Sequence, residues 1–96
     1  MIFSFGDQET EELFHGRDTK NSRRFAPKVR KAALWKLDMI NAAAKLDDLR
    51  SPPGNRLELL KGIRKGWHSI RVNDQYRVVF RWIDASAHEV RLVDYH

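Results

Sequence analysis

The side chains best suited to proton transfer stand together at the last three positions of the sequence. Asp94, Tyr95 and His96 place a carboxylate, a phenol and an imidazole side by side. An imidazole gains or loses a proton near neutral pH, whereas a neutral phenol is a poor base that donates a hydrogen bond or stacks on a ring. The segment therefore predicts acid–base chemistry with His96 as the main candidate, although a histidine in such a place is more often simply solvated.

The positive charge of the chain is concentrated in two segments. Lys and Arg number 18 against 13 for Asp and Glu, which gives a net charge of +5. Residues 55–81 hold seven cations and two acids, and residues 17–31 hold seven cations and one acid. Because the guanidinium fork matches phosphate oxygens, this distribution favours a polyanionic partner, either nucleic acid or an acidic protein surface. A merely solubilising surface is the alternative.

The composition restricts the classes of protein to consider. A chain of 96 residues with 42% hydrophobic and 32% charged residues predicts one globular domain over residues 1–96. The four histidines are scattered and cysteine is absent, so we expect neither a metal site nor a cofactor. No apolar run is long enough to cross a membrane, and the first residues do not resemble a signal peptide. We therefore expect a cytoplasmic protein with no membrane partner.

Periodicity predicts the elements that must position these residues. Alternation over residues 1–5 predicts a first strand, and Asp7 as N-cap predicts a short helix that ends near Gly16. Apolar residues at spacings of three and four predict a main helix over residues 26–46. After the prolines and the glycine of residues 52–54, the period changes to two. The strands that this period predicts cover residues 57–60, 67–72, 76–82 and 88–95, with turns at Asn73-Asp74 and in the DASA segment.

This order, β-α-α-β-β-β-β, is an α+β fold in which two helices pack on one face of a mainly antiparallel sheet. If alternation turns the aliphatic positions toward the helices, the opposite face collects four arginines, two aromatic residues and a serine. Such a face suits a ligand that is negative and partly flat. Its predicted members are Trp67, Ser69, Arg71, Arg77, Arg81, Arg91 and Tyr95. Strict alternation sends Asp94 and His96 to the helix side, but the fraying end of a strand can depart from it.

The stretch from SPPGNRLELLKG through SIRVNDQ to the final VDYH resembles the HigB toxins of bacterial toxin–antitoxin pairs, within the RelE/ParE superfamily. The resemblance covers essentially the whole chain, and its spacing is specific. It implies a RelE-like fold and a ribonuclease that enters the ribosomal A site and cuts messenger RNA during translation. It also implies a HigA-type helix-turn-helix antitoxin, through which the toxin contacts operator DNA indirectly.

The resemblance also implies roles for single residues. Asp94, Tyr95 and His96 match the active-site end of the family, and Lys61 matches a basic active-site position. Glu58 stands where some relatives have a catalytic histidine. Its carboxylate can replace that histidine as a base, or it can merely support its loop.

The resemblance further implies that the residues at the family's basic positions bind phosphate. Arg64, Arg71 and Arg77 match them and can clamp a scissile phosphate, although Arg77 stands among aromatic residues and is equally well explained as a structural ion-pair partner. The cations expected to contribute to RNA binding in general are Arg56, Arg64, Lys65, Arg81 and Arg91.

Metal-independent RNA cleavage requires a base for the 2′-hydroxyl, cations at the phosphate and an acid for the 5′-oxygen. The residues named above supply each of these types. Two other classes of function stay open: a non-cleaving toxin that inhibits a cellular target, as the ParE branch does with gyrase, and a protein that acts chiefly as co-repressor with its antitoxin. The proton-transfer groups favour the nuclease.

Overall fold

A computed structural model describes residues 1–62 and 66–95 of the chain. Its helices are α1 (Gln8–Phe14) and α2 (Pro27–Ala42), and its strands are β1 (Glu58–Leu59), β2 (Trp67–Arg71), β3 (Tyr76–Ile83) and β4 (Ser86–Asp94). Within these ranges the strands form one antiparallel sheet in the order β1-β2-β3-β4. The predicted α+β fold, with two helices packed on an antiparallel sheet, is confirmed. None of the helices described is long and apolar enough to cross a membrane.

The core lies between α2 and one face of the sheet. From α2 it takes Ala33, Leu37 and Ile40, all fully buried, as the predicted apolar stripe requires. From the sheet it takes alternate residues, as expected for strands with one covered face. The fully buried ones are Ile70, Val78, Phe80, Ala87 and Val90.

The ends of the helices follow from local hydrogen bonds. The Asp7 carboxylate accepts from the Thr10 amide at 2.8 Å, so the predicted N-cap of α1 is confirmed. The predicted end of α2 is wrong by four residues. The Asp48 carboxylate accepts from the backbone amides of Ala44 and Lys45 at 2.9 and 3.1 Å, and these bonds replace a continued helical ladder by a 3-10 turn at Leu46–Arg50.

The predicted first strand is only partly formed. Residues 1–6 lie parallel to β4, but they meet it in two isolated bridges, Ile2 to Ala87 and Phe5 to Val90. Between these bridges β4 carries a bulge, where Glu89 has a φ of 53° and its amide donates to the Ser4 hydroxyl at 2.9 Å. One extra residue in β4 interrupts the hydrogen-bond ladder between β4 and residues 1–6, so this segment does not form a regular first strand.

Both predicted turns between the long strands are confirmed. The Asn73 side chain accepts from the amides of Gln75 and Tyr76 at 2.9 and 2.7 Å, and this fixes the turn from β2 to β3. Asp84 and Ala85, both at positive φ, form a two-residue turn from β3 to β4. These turns set the register of the three long strands and therefore decide which side chains share a face.

Candidate active site

The face of the sheet turned away from the helices, hereafter the outer face, brings together most of the residues that alternation predicts. In the β2–β3 register, Trp67 stands opposite Arg81 and Arg71 stands opposite Arg77. Arg91 joins the same face from β4, where it stands opposite Val79. The centre of this face is covered from solvent, because Ser69 and Val79 are fully buried. The cations around that centre therefore differ in exposure and in contacts.

Arg77 is the centre of a compact cluster on the outer face. Its Nε donates to the Ser69 hydroxyl at 2.8 Å, and its Nη2 donates to the Arg56 carbonyl at 2.6 Å. Nη2 also lies 3.7 Å from Glu58 Oε2, and the guanidinium carbon is 5.5 Å from the centre of the Tyr95 ring. We call Arg77, Glu58, Ser69, Tyr95 and the Arg56 carbonyl the Arg77 cluster.

The members of the Arg77 cluster differ in how far they are exposed to solvent. The Arg77 side chain is only 11% exposed, whereas that of Glu58 is 55% exposed and Tyr95 is 44% exposed. A nearly buried guanidinium with several acceptors is held in one orientation. The carboxylate and the phenol beside it remain accessible to a ligand. The cluster thus combines a fixed cation with two accessible groups, one able to accept and one able to donate a proton.

The Arg77 cluster is positioned by the strands and by the segments that flank β1 and β4. β3 carries Arg77, and the pairing of Glu58 with Ser69 brings β1 onto the same face. Arg56 directs its carbonyl at Arg77 from a left-handed backbone conformation with φ 45°. Tyr95 follows β4, and its amide donates to the Gln75 carbonyl at 2.7 Å. The site is therefore assembled from the ends of the sheet and one loop.

The remaining cations of the outer face have other partners. The Arg71 guanidinium is hydrogen-bonded to the exposed carboxylate of Asp74, and Arg81 pairs with Glu89 at 3.0 Å. Arg91 lies against Gly6, where a Cβ atom would come within 2.1 Å of Nε, so the close approach requires glycine. Because cross-strand neighbours are close, Arg71 adds a second positive charge beside Arg77.

The Asp94 side chain faces the helix side of the sheet, whereas the Arg77 cluster lies on the outer face. Asp94 stands opposite Tyr76, and it borders a cavity of about 320 Å³ between the sheet and the helices. Its carboxylate accepts from the Gln75 side chain at 3.0 Å. β4 continues to Asp94, so alternation places this residue on the helix side. Its contact with Gln75 holds the turn whose carbonyl accepts from the Tyr95 amide.

Other predicted site residues lie outside the cluster or outside the described residues. The side chains of Lys61 and Arg56 are exposed to solvent near β1. The predictions for Arg64, Lys65 and His96 concern positions that lie outside the described residues.

Sequence reasoning missed a buried pair beneath the site. Lys36 is 6% exposed and Asn55 fully buried, and the Lys36 ammonium donates to the Asn55 side-chain oxygen. Burial, together with the nearby positive charge of Arg71, lowers the pKa of Lys36. The signal was available, because Lys36 lies three residues after Ala33 and four before Ile40 on the apolar stripe, where a lysine requires an explanation.

Two solved structures similar to this fold come from toxin–antitoxin complexes. A chain of the YoeB–YefM complex from Staphylococcus aureus superposes with a TM-score of 0.63 at 18% identity, over 100% of this chain and 98% of that chain. The heterotetrameric YoeB–YefM complex from the same organism gives the same values. At this identity the likeness shows the fold alone, which is the fold of RelE-like toxins.

Sequence comparison defines the family. A family profile described as the RelE-like toxin of the type II toxin–antitoxin system HigB matches residues 2–96. Toxin HigB-1 of Vibrio cholerae serotype O1 is 44% identical over 87 residues, which are 91% of this chain and 90% of that protein. A Haemophilus influenzae protein is 53% identical over 47 residues, 49% of this chain and 46% of that one. The chain belongs to the HigB family of RelE-like toxins, and the predicted resemblance is confirmed.

Proposed function

We propose that this toxin is a ribosome-dependent endoribonuclease that cuts messenger RNA during translation, and that the Arg77 cluster is its active site. The observation that carries the proposal is the contact of an almost buried guanidinium with an accessible carboxylate and an accessible phenol. A scissile phosphate over this group meets a fixed positive charge between a proton acceptor and a proton donor. That is the set of groups required for internal attack by the RNA 2′-hydroxyl.

The first half of the reaction assigns Glu58 as the base. Its carboxylate takes the proton of the 2′-hydroxyl, and the 2′-oxygen then forms a bond to phosphorus. Arg77 stabilises the charge that develops on the phosphate oxygens. Its Nε and Nη2 donate to protein acceptors, while Nη1 has no acceptor among the described residues and can donate to phosphate. Arg71, whose side chain is 34% exposed, adds a more accessible positive charge beside it.

The second half of the reaction breaks the bond between phosphorus and the 5′-oxygen. The leaving 5′-oxygen takes a proton from Tyr95 or from His96, the residue that follows it in the sequence. The products are a 2′,3′-cyclic phosphate and a 5′-hydroxyl end. Lys61, Arg56, Arg64, Lys65, Arg81 and Arg91 contribute to RNA binding as a surrounding positive field. Asp94 acts indirectly, by holding Gln75 next to Tyr95.

The partners follow from the family and the charge. We propose a HigA-type antitoxin that neutralises the toxin and contacts operator DNA in a shared complex, and a cytoplasmic site of action at the ribosome. The ribosome supplies the position of the message, because a site this small has few groups with which to align RNA by itself.

The test compares a defined message free in solution with the same message bound in ribosome complexes, each treated with purified toxin. We expect cleavage with 5′-hydroxyl ends in the ribosome complex and little cleavage of free RNA. Equal cleavage of both substrates would contradict ribosome dependence. Growth arrest without any cleaved message would instead support a non-cleaving toxin, and repression without growth arrest would support a co-repressor.

A further inference from the structure

Lys36 and Asn55 connect α2 to the candidate active site through contacts between buried groups. The Asn55 side-chain amide donates to the Leu49 carbonyl at 3.2 Å and to the Ser51 carbonyl at 3.4 Å. Its backbone amide donates to the Pro52 carbonyl at 3.0 Å. Asn55 therefore fixes both sides of the loop of residues 49–55, and Lys36 fixes Asn55 to the helix.

The next residue of the loop reaches the site directly. Arg56 donates its amide to the Pro53 carbonyl at 3.1 Å, and its own carbonyl accepts from Arg77 at 2.6 Å. Because Arg56 follows Asn55 directly in the chain, a rotation of Asn55 would move the Arg56 carbonyl that orients Arg77. The contacts thus run without a gap from Lys36 to the Arg77 guanidinium.

Burial of Lys36 requires a reason other than stability. A buried ammonium is costly unless it is paired, and its hydrogen-bond acceptor in the described part of the chain is a neutral amide oxygen, not a carboxylate. An apolar residue at position 36 would fill the same space without burying a charge. The ammonium also lies 4.7 Å from the centre of the Trp35 ring, which offsets only part of the cost.

We propose that Lys36 and Asn55 are positioning residues that hold the Arg56 carbonyl, and through it the Arg77 guanidinium, in the orientation required for RNA cleavage. The proposal rests on the proposed function, since it assigns the pair to the same site. It predicts that loss of the ammonium lowers the rate of cleavage more than the affinity for the ribosome. A displacement of about 1 Å at a catalytic group lowers the rate by roughly 10²-fold.

The first experiment compares Lys36→Met with Lys28→Met in single-turnover cleavage of ribosome-bound message. Lys28 is an exposed lysine on the same helix, so its substitution removes the same charge without touching Asn55. We expect Lys36→Met to lower the maximal rate by roughly 10²-fold with unchanged ribosome affinity, and Lys28→Met to retain the rate. An unchanged rate in folded Lys36→Met would overturn the proposal.

A double variant separates positioning from stability. Lys36→Met with Asn55→Leu removes both partners of the buried bond, so neither is left unpaired, although the Leu49 and Ser51 carbonyls lose the donor that Asn55 supplies. We expect the double variant to remain folded and still to cleave slowly. Recovery of the full rate together with the melting temperature would show a merely structural pair and would overturn the proposal.

A spectroscopic measurement tests the pair independently of RNA cleavage. The Arg77 Nε–H group, which donates to Ser69, should give a slowly exchanging ¹⁵N–¹H signal that is absent from Arg77→Lys. We expect this signal to broaden or to exchange faster in Lys36→Met and to persist in Lys28→Met. If wild-type protein cuts no ribosome-bound message, the proposed function fails, while this signal still decides whether Lys36 holds Arg77. An unaltered signal in Lys36→Met would overturn the proposal.

Discussion

Two segments meet at Arg77 and hold it in different ways. The loop before β1 contacts Arg77 through a backbone carbonyl, and the buried Asn55 ties that loop to α2. The segment after β4 contacts Arg77 through the ring of Tyr95, which is 44% exposed. The first contact is a hydrogen bond of 2.6 Å and the second is a cation–π distance of 5.5 Å.

This difference shows how a small fold can divide the tasks of a site. The loop side is buried and hydrogen-bonded, so it can set geometry, and a change there affects both stability and rate. The C-terminal side is exposed, so it can meet RNA and exchange protons with little effect on the fold. Substitutions on the two sides should therefore separate the loss of stability from the loss of activity.

The largest effect is expected at Arg77, which both segments contact. Arg77→Ala removes the cation proposed to bind phosphate and leaves the Ser69 hydroxyl and the Arg56 carbonyl without their donor. We expect cleavage to be abolished and the free energy of unfolding to fall by about 2–3 kcal/mol. Thermal melts and cleavage assays on purified protein measure the two losses.

Arg71→Ala is the matched control for Arg77→Ala, because Arg71 stands opposite Arg77 but is bonded to an exposed carboxylate. We expect it to melt normally and to bind ribosome-associated RNA more weakly. If Arg71→Ala is destabilised as much as Arg77→Ala, the two arginines do not differ in the way described here.

The next effect is expected from removal of Tyr95 and His96. The deletion leaves the buried core intact, so it should cost about 1–2 kcal/mol of stability. Loss of a positioned acid should lower the cleavage rate by roughly 10²–10⁴-fold. Growth arrest, message cleavage and circular dichroism of the truncated protein test this. A folded truncated protein with full toxicity would remove the C-terminal side from the active site.

A smaller effect is expected from a decrease in pH, through His68 in β2. His68 pairs with Leu59 of β1 and stacks on Phe80 at 6.0 Å, and burial lowers the pKa of its imidazole. The unfolded chain then binds the proton more readily than the folded protein. The free energy of unfolding therefore decreases as the pH falls below about 6.5, the ordinary pKa of histidine. Denaturant melts between pH 5 and 8 should show a decrease that His68→Gln reduces. An identical pH profile in His68→Gln would exclude this histidine as its source.

The periodicity of the sequence and its turn residues were sufficient to predict most of the fold. The helix cap at Asp7, the stripe around Leu37 and the turns at Asn73 and Asp84 are local features, and local rules predict them. The end of α2 and the broken first strand were mispredicted. Each depends on a side-chain bond to the backbone, from Asp48 or Ser4, that competes with regular structure.

The site was less predictable than the fold. Alternation placed Arg71 and Arg77 on one face, but it could not show that one is nearly buried and the other bonded to Asp74. It also gave no sign that Asn55 supports the loop, because that contact joins residues 19 positions apart. Long-range contacts of this kind require the folded structure.

The central claim is that the Arg77 cluster performs the cleavage, and the most direct measurement is the single-turnover rate of Glu58→Gln on a ribosome-bound message. Glutamine keeps the size of the residue and one acceptor oxygen, but it cannot take the 2′-hydroxyl proton. With the Glu58 side chain 55% exposed, the fold should be unaffected, and the rate should fall by roughly 10²–10⁴-fold while ribosome binding is retained. A folded Glu58→Gln protein that produces 5′-hydroxyl ends at the wild-type rate would contradict the account.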